Sequence, residues 1–277
     1  MAGFFGFMDF TKEGPGIKKD GPKKKAFFVF FETYFRNFWR FITINLVYVL
    51  LSLPIITTGM TSAGLTNVTR NIARDKHSFG LSDFFETIKK NFKQALAVGI
   101  INVIITAIIT FAIYIYYKSF VTAETSSTFN LLGFIVSLIV AMVFLMMQFY
   151  MYTLMITFGF SVKTLYVNSF KFVFVNLWKN LLCGILLLLV YGIYVAIFMA
   201  FPYWSVLLAE VLIAAITLPS FRYLLIQFFT FGSIKKYIID PYYKEHPDAD
   251  IDKRRDLGLE VPEDDAEEEP LSWNKAL

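Results

Sequence analysis

The sequence predicts an all-α fold: a polytopic membrane helix bundle of about six membrane helices, built as three hairpins, each preceded by an interfacial elbow helix. Three observations predict it. Five apolar runs are long enough to cross a bilayer, the distribution of Lys and Arg demands a sixth crossing, and the motif FFET opens two of the hairpins. Composition agrees, since 56% of the 277 residues are hydrophobic and 18% aromatic against 17% charged, outside the range of soluble domains.

The chain begins with a basic leader, residues 1–26, containing Lys18, Lys19, Lys23, Lys24 and Lys25. It lacks the small-residue cleavage site of a signal peptide, so it is expected to stay in the mature protein. The apolar runs follow at 38–56, 94–117, 131–158, 180–201 and 206–231. About 20 apolar residues at 1.5 Å rise cross about 30 Å of hydrocarbon. Backbone in lipid must satisfy its own hydrogen bonds, so continuous runs of this length are helices and not alternating barrel strands.

Connections rich in Lys and Arg tend to remain cytoplasmic. Arg36 and Arg40, with the leader lysines, put the N-terminus inside. Arg70, Arg74, Lys76, Lys89, Lys90 and Lys93 do the same for the second connection, as do Lys163, Lys171 and Lys179 for the fourth. YKSFVTAETSSTFN, with Lys118 alone, and FPYWS, with no cation, belong outside. These residues flank apolar runs instead of forming one basic face, so the net charge of +4 points to the lipid bilayer and not to nucleic acid.

If 38–56 leaves the cytoplasm and Arg70 is back in it, the chain must return within LPIITTGMTSAGLTNVTRN. Pro54 ends or kinks the first helix there and Gly59 allows the hairpin turn. Thr61, Ser62, Ala63 and Gly64 permit close helix approach, while Thr66, Asn67, Thr69 and Asn71 are too polar to face lipid. The other arrangement open to residues 55–75 is an outer loop with an amphipathic surface helix. With the returning arm, the hairpins cover about 27–76, 81–158 and 163–236 within a bundle of 27–237, and both termini are cytoplasmic in the cell membrane. The tail, 244–277, is dominated by EDDAEEE and reads as disordered and solvated.

A repeat supports the three units. FFETYFRNF, 30–38, matches FFETIKKNF, 84–92, and the weaker SFKFVFVNL keeps Phe170 and Asn176. Each reads as an interfacial amphipathic helix with Phe rings at the headgroup boundary.

From FRNFWRFITINLVYVLLSLPIITTG, through TRNIARDKHSFGLSDFFETIKKNFKQALAVGI, to the last run and IIDPYY, the chain resembles the DUF624, or YesL-like, family of bacterial multi-pass membrane proteins. That resemblance implies a cell-membrane protein whose genes often lie beside those of carbohydrate importers. It suggests an accessory or regulatory component associated with carbohydrate uptake, with ABC-type carbohydrate importer components as partners. It implies no catalytic or binding residue.

Site candidates therefore come from polar residues inside the apolar runs, where burial is expensive unless they are paired or wet. Asn45, Asn67, Asn102, Gln148 and Arg222 could line one cytoplasm-facing cavity of a small-solute transporter. Alternatively the amides join helices and Arg222 snorkels to lipid phosphate. Glu210, about one turn from the outer surface, reads as a wet interface residue, and Pro219 should kink the last span. No metal helix, nucleophile elbow or phosphate loop is present, and the two histidines, His77 and His246, lie in connections. The reading is of a non-enzyme with no cofactor and no metal. Cys183 is the single cysteine, so no intrachain disulfide forms.

Overall fold

The computed structural model describes residues 26–76, 78–122 and 128–246. The leader, His77, the loop 123–127 and the acidic run of the tail lie outside the described residues.

Helices α1 (Ala26–Arg36), α2 (Phe38–Ser52) and α3 (Thr58–Ala73) come first, then α4 (Leu81–Thr122) and α5 (Thr128–Phe158). They are followed by α6 (Val162–Val175), α7 (Leu177–Ala200), α8 (Trp204–Ile234) and, after a π-helical turn over Lys235–Ile239, by α9 (Asp240–Glu245). Among the described residues, four helical stretches are long and apolar enough to cross a membrane: Leu81–Val121, Thr128–Phe158, Leu177–Ala200 and Trp204–Glu245. The chain is a polytopic membrane helix bundle.

Successive helices meet in three antiparallel contacts, although α3 packs more extensively on α4 and α8 than on α2. In the first, Ser52 of α2 bonds Thr61 of α3 (2.7 Å) at one end, and Arg36 pairs with Asp75 at the other. In the second, Asn102 of α4 meets Gln148 of α5, and Tyr116 meets Phe129 nearer the connecting loop. In the third, Tyr194 of α7 lies against Thr217 of α8 (3.3 Å).

The repeat has a backbone counterpart. Each copy carries, one residue before its end, an asparagine that breaks the helix with nearly the same geometry: Asn37 (φ −105°, ψ 14°), Asn91 (φ −108°, ψ 15°) and Asn176 (φ −121°, ψ 32°). This bridge-region conformation is sparsely allowed, and a short amide side chain can support it locally. Asn37 Nδ2 donates to the Thr33 carbonyl (3.0 Å) and Asn91 Nδ2 to that of Thr87 (3.1 Å), the same step back into FFET. In the third copy Asn180 takes over, donating to the Phe172 and Val173 carbonyls (3.2 Å each).

The side chains correct one expectation. The first Phe of each FFET faces the core and not the headgroups: Phe30 packs edge-on against Phe221 and Phe228, and Phe84 is fully buried beside Gly64. Only the second ring is directed outward in the later copies, at Phe85 and Phe170.

The run 38–56 is helical only to Ser52, so α2 has 15 residues, short of an untilted span. Pro54 (φ −73°, ψ 110°) and the 3-10 turn Ile55–Thr57 reverse the chain, but Gly59 is not in the turn. It lies in the first turn of α3, where its backbone meets that of Gly99 in α4. Eleven of the 16 residues of α3 are buried, enclosed by α2, α4, α5 and α8. A surface helix buries one stripe; α3 is an internal strut.

Candidate functional site

The five residues considered for one cavity are distributed over separate groups. Asn45, fully buried on α2, reaches the stretch of α8 around Pro219. Its Nδ2 donates to the Ile216 carbonyl (2.8 Å) and to Ser220 Oγ (2.8 Å), while its Oδ1 accepts from Ser220 N–H (2.9 Å). Ile216 C=O and Ser220 N–H are the two groups that one α-helical bond would join. Beside a proline that removes a donor and crowds the preceding turn, the Asn45 amide serves both. Pro219 itself withholds a donor from the Ala215 carbonyl, and Asn45 takes up the next pair of the ladder, which makes this stretch of α8 a helix–helix joint.

Asn102 and Gln148 are brought together. Asn102 Nδ2 donates to Gln148 Oε1 (2.9 Å), Gln148 Nε2 returns a longer bond (3.3 Å), and Tyr166 Oη of α6 donates to Asn102 Oδ1 (2.7 Å). This network knits α4, α5 and α6. A parallel joint links α5 to α7 through Tyr150 Oη and Asn180 Oδ1 (2.7 Å), and another links α8 to α5 through Gln227 Nε2 and Thr153 Oγ1 (2.8 Å). Tyr150, Tyr166, Asn180 and Gln227 were not singled out from sequence. Tyr150 and Gln227 lie inside the apolar runs 131–158 and 206–231, where a hydrogen-bonding side chain was the available signal.

Asn67 belongs to a third group. Its Nδ2 donates to Thr87 Oγ1 (2.8 Å), and its Oδ1 accepts from Arg70 Nη2 (2.7 Å). Arg70 Nη1 donates to Thr157 Oγ1 (2.8 Å), so one guanidinium joins α3 to the end of α5. One turn on, Arg74 lays its guanidinium 4.0 Å above the Phe231 ring of α8. Arg70 Nε, Arg74 Nε and Arg74 Nη2 are buried without a hydrogen-bond partner, as is Gln227 Oε1. A cavity of about 110 Å³ is lined by Arg70, Ala73, Arg74, Gln227, Phe228 and Phe231. Burial, and after it the charge of Arg70, pushes the Arg74 guanidinium down from its usual range.

The main chain sets this arrangement. Asp75, at φ 51°, closes α3 with Lys76 N–H on Asn71 C=O (3.0 Å) and Asp75 N–H on Ile72 C=O (3.1 Å), a Schellman cap. Arg74 is the last residue before that left-handed step, and i, i+4 spacing puts it on the same face as Arg70. The sequence reading took both arginines as orientation signals. Their place in a helix-spaced N-x-x-R-x-x-x-R pattern was the missed signal.

Arg222 adjoins the Asn102–Gln148 group through Tyr152, whose Oη accepts from Asn102 Nδ2 (3.4 Å). It is half-buried on α8, its charge faced by the phenols of Tyr223, Tyr191, Tyr48 and Tyr152. Glu210 lines an open apolar cleft of about 500 Å³ between α7 and α8, with one carboxylate oxygen buried and unpartnered. Among the described residues, no group of three His, Cys, Asp or Glu could hold a metal ion, and Cys183 is buried as a free thiol.

A family model described as "Protein of unknown function, DUF624" matches residues 41–113. No curated protein and no solved structure matches the chain. The matched stretch runs from α2 through α3 into α4, and so contains Asn45, Asn67, Arg70, Arg74 and Asn102 but none of their partners on α5 and α8.

Proposed function

Taking membership of the DUF624 family as the premise, we propose that this membrane protein is an accessory or regulatory component associated with carbohydrate uptake. It acts by contact with ABC-type importer components and not by catalysis. The carbohydrate association comes from the family resemblance described above. What supports action by contact is the use made of the interior polar groups. Asn45, Asn67, Asn102 and Gln148 are each committed to helix–helix hydrogen bonds, in three groups. A solute pathway needs polar groups free to exchange partners with the solute.

The test is affinity capture of the protein from its native membrane under mild detergent. Importer permease or ATPase subunits should copurify in stoichiometric amounts. If the purified protein alone moves labelled solute into proteoliposomes and captures no importer subunit, the reading is wrong. A stand-alone transporter is the second reading, favoured by Arg222, whose charge is faced by phenols and, among the described residues, by no carboxylate. In that case Arg222→Ala should abolish flux while leaving the fold intact.

A further inference from the structure

Arg70 and Arg74 form a pair of like charges, one turn apart, at the wall of one small cavity. Three of their donor atoms are buried and unpartnered. Among the described residues no carboxylate pairs with either. The nearest acid in sequence, Asp75, is exposed and is paired with Arg36. Buried charge without a counter-ion is strongly unfavourable, and two like charges side by side compound it. The C-terminal end of the α3 dipole favours cations, but that effect is weak and confined to the last turn.

The surroundings do not supply what is missing. Gln227 Oε1 is the one unpartnered acceptor among the lining residues, against three unpartnered donors. Phe228 and Phe231 close the remaining wall with apolar rings, and the Phe231 face fixes the plane of the Arg74 guanidinium. The cavity, about 110 Å³, has the space of roughly four waters.

We infer that this cavity is a binding site for the phosphate group of an anionic ligand, gripped by Arg70 and Arg74. Charge selects an anion. Two guanidinium charges select a phosphate over a carboxylate, because a phosphate monoester carries about −1.5 to −2 near neutral pH and a carboxylate only −1. Arg70 is also bonded to Thr157, and Gln227 to Thr153, so the ligand would sit where the first, second and third helix pairs meet. The inference does not rest on the accessory reading, since the site would exist equally in a transporter.

The ligand phosphate could belong to a lipid headgroup or be free in solution, and one experiment separates these. The full-length protein, purified in neutral detergent and phosphate-free buffer, is titrated with three probes. They are inorganic phosphate, a lysophosphatidic acid, and the monoacylglycerol with the same acyl chain but no phosphate. Binding is read from native mass spectra and from the shift in melting temperature. Saturable binding of lysophosphatidic acid, with none of the monoacylglycerol, supports the site. Competition by inorganic phosphate then identifies a soluble source, and no competition a lipid one.

Arg74→Gln is the clean variant, because the Nε and Nη2 atoms it removes make no hydrogen bond. It should weaken binding by about tenfold to a hundredfold, whereas Lys171→Gln, on the exposed face of α6, should not change it. Arg74→Lys keeps the charge without the fork and should fall between, which separates loss of the site from loss of the fold. Equal binding of all three probes, or wild-type affinity in both Arg74 variants, would overturn the inference.

Discussion

A single methyl group at position 59 tests the packing on which the bundle depends. A Cβ built on Gly59 would lie 2.2 Å from the Ala95 carbonyl oxygen and 2.6 Å from the Gly99 Cα. Both obstacles are backbone atoms of α4, so no side chain can rotate away. Reaching the 3.4 Å of ordinary contact needs a shift of about 1 Å between α3 and α4. A radial gap of that size forfeits roughly a quarter to a half of each dispersion contact across the interface. α3 packs more extensively on α4 than on any other helix, so the loss spreads over Ala63, Val68, Ala95 and Val98, all buried. Overpacking ordinarily costs about 1–3 kcal/mol, and Gly59→Ala belongs at the upper end of that range.

The assay is denaturant unfolding of the protein in detergent micelles, with Gly184→Ala as control because nothing lies within 4 Å of its added Cβ. Gly99→Ala should behave like Gly59→Ala, since its Cβ would come 2.8 Å from the Gly59 Cα. The double variant should cost less than the sum, because either methyl already forces the helices apart. Equal midpoints for Gly59→Ala and the wild type would refute the close-approach reasoning.

Other consequences are checked more briefly. Asn45→Leu should destabilise by about 1–2 kcal/mol, near the upper end for interhelical hydrogen bonds in membranes, because it removes all three bonds by which α2 holds α8 beside Pro219. Asn102→Leu should cost more than Gln148→Leu by unfolding midpoint, since Asn102 serves both Gln148 and Tyr166. Asp75→Gly should be neutral or stabilising by up to about 1 kcal/mol, because relief of the positive φ outweighs an exposed ion pair. For topology, single cysteines at Thr58, Asn67 and Lys76 in a Cys183→Ser background should label from outside, be protected, and label from inside, respectively. An external label at Lys76 would exclude the returning arm.

Much of the architecture is legible in residue order. The long apolar runs suffice for a polytopic membrane helix bundle, since length and hydropathy are properties of the chain itself. Even the helix breaks were marked, because each copy of the repeat carries its asparagine at the same step. Partner choice was not legible. Asn45 could have lined a cavity or joined a helix, and only the approach of α8 beside Pro219 decided for the joint. Gly59 carries both turn-forming freedom and small size. The proximity of Gly99, 40 positions on, determined that size was what mattered.

The same division runs through the arginines. The sequence by itself determined that Arg70 and Arg74 end the polar arm beside a span, because charge and position along the chain follow from composition alone. Only the tertiary structure decided that they share one wall, with Phe231 beneath Arg74 and no acid among the lining residues. The physical reason is that a guanidinium's cost or use depends on what lies within a few ångströms of it, and those neighbours include Gln227, Phe228 and Phe231 of α8, more than 150 residues away.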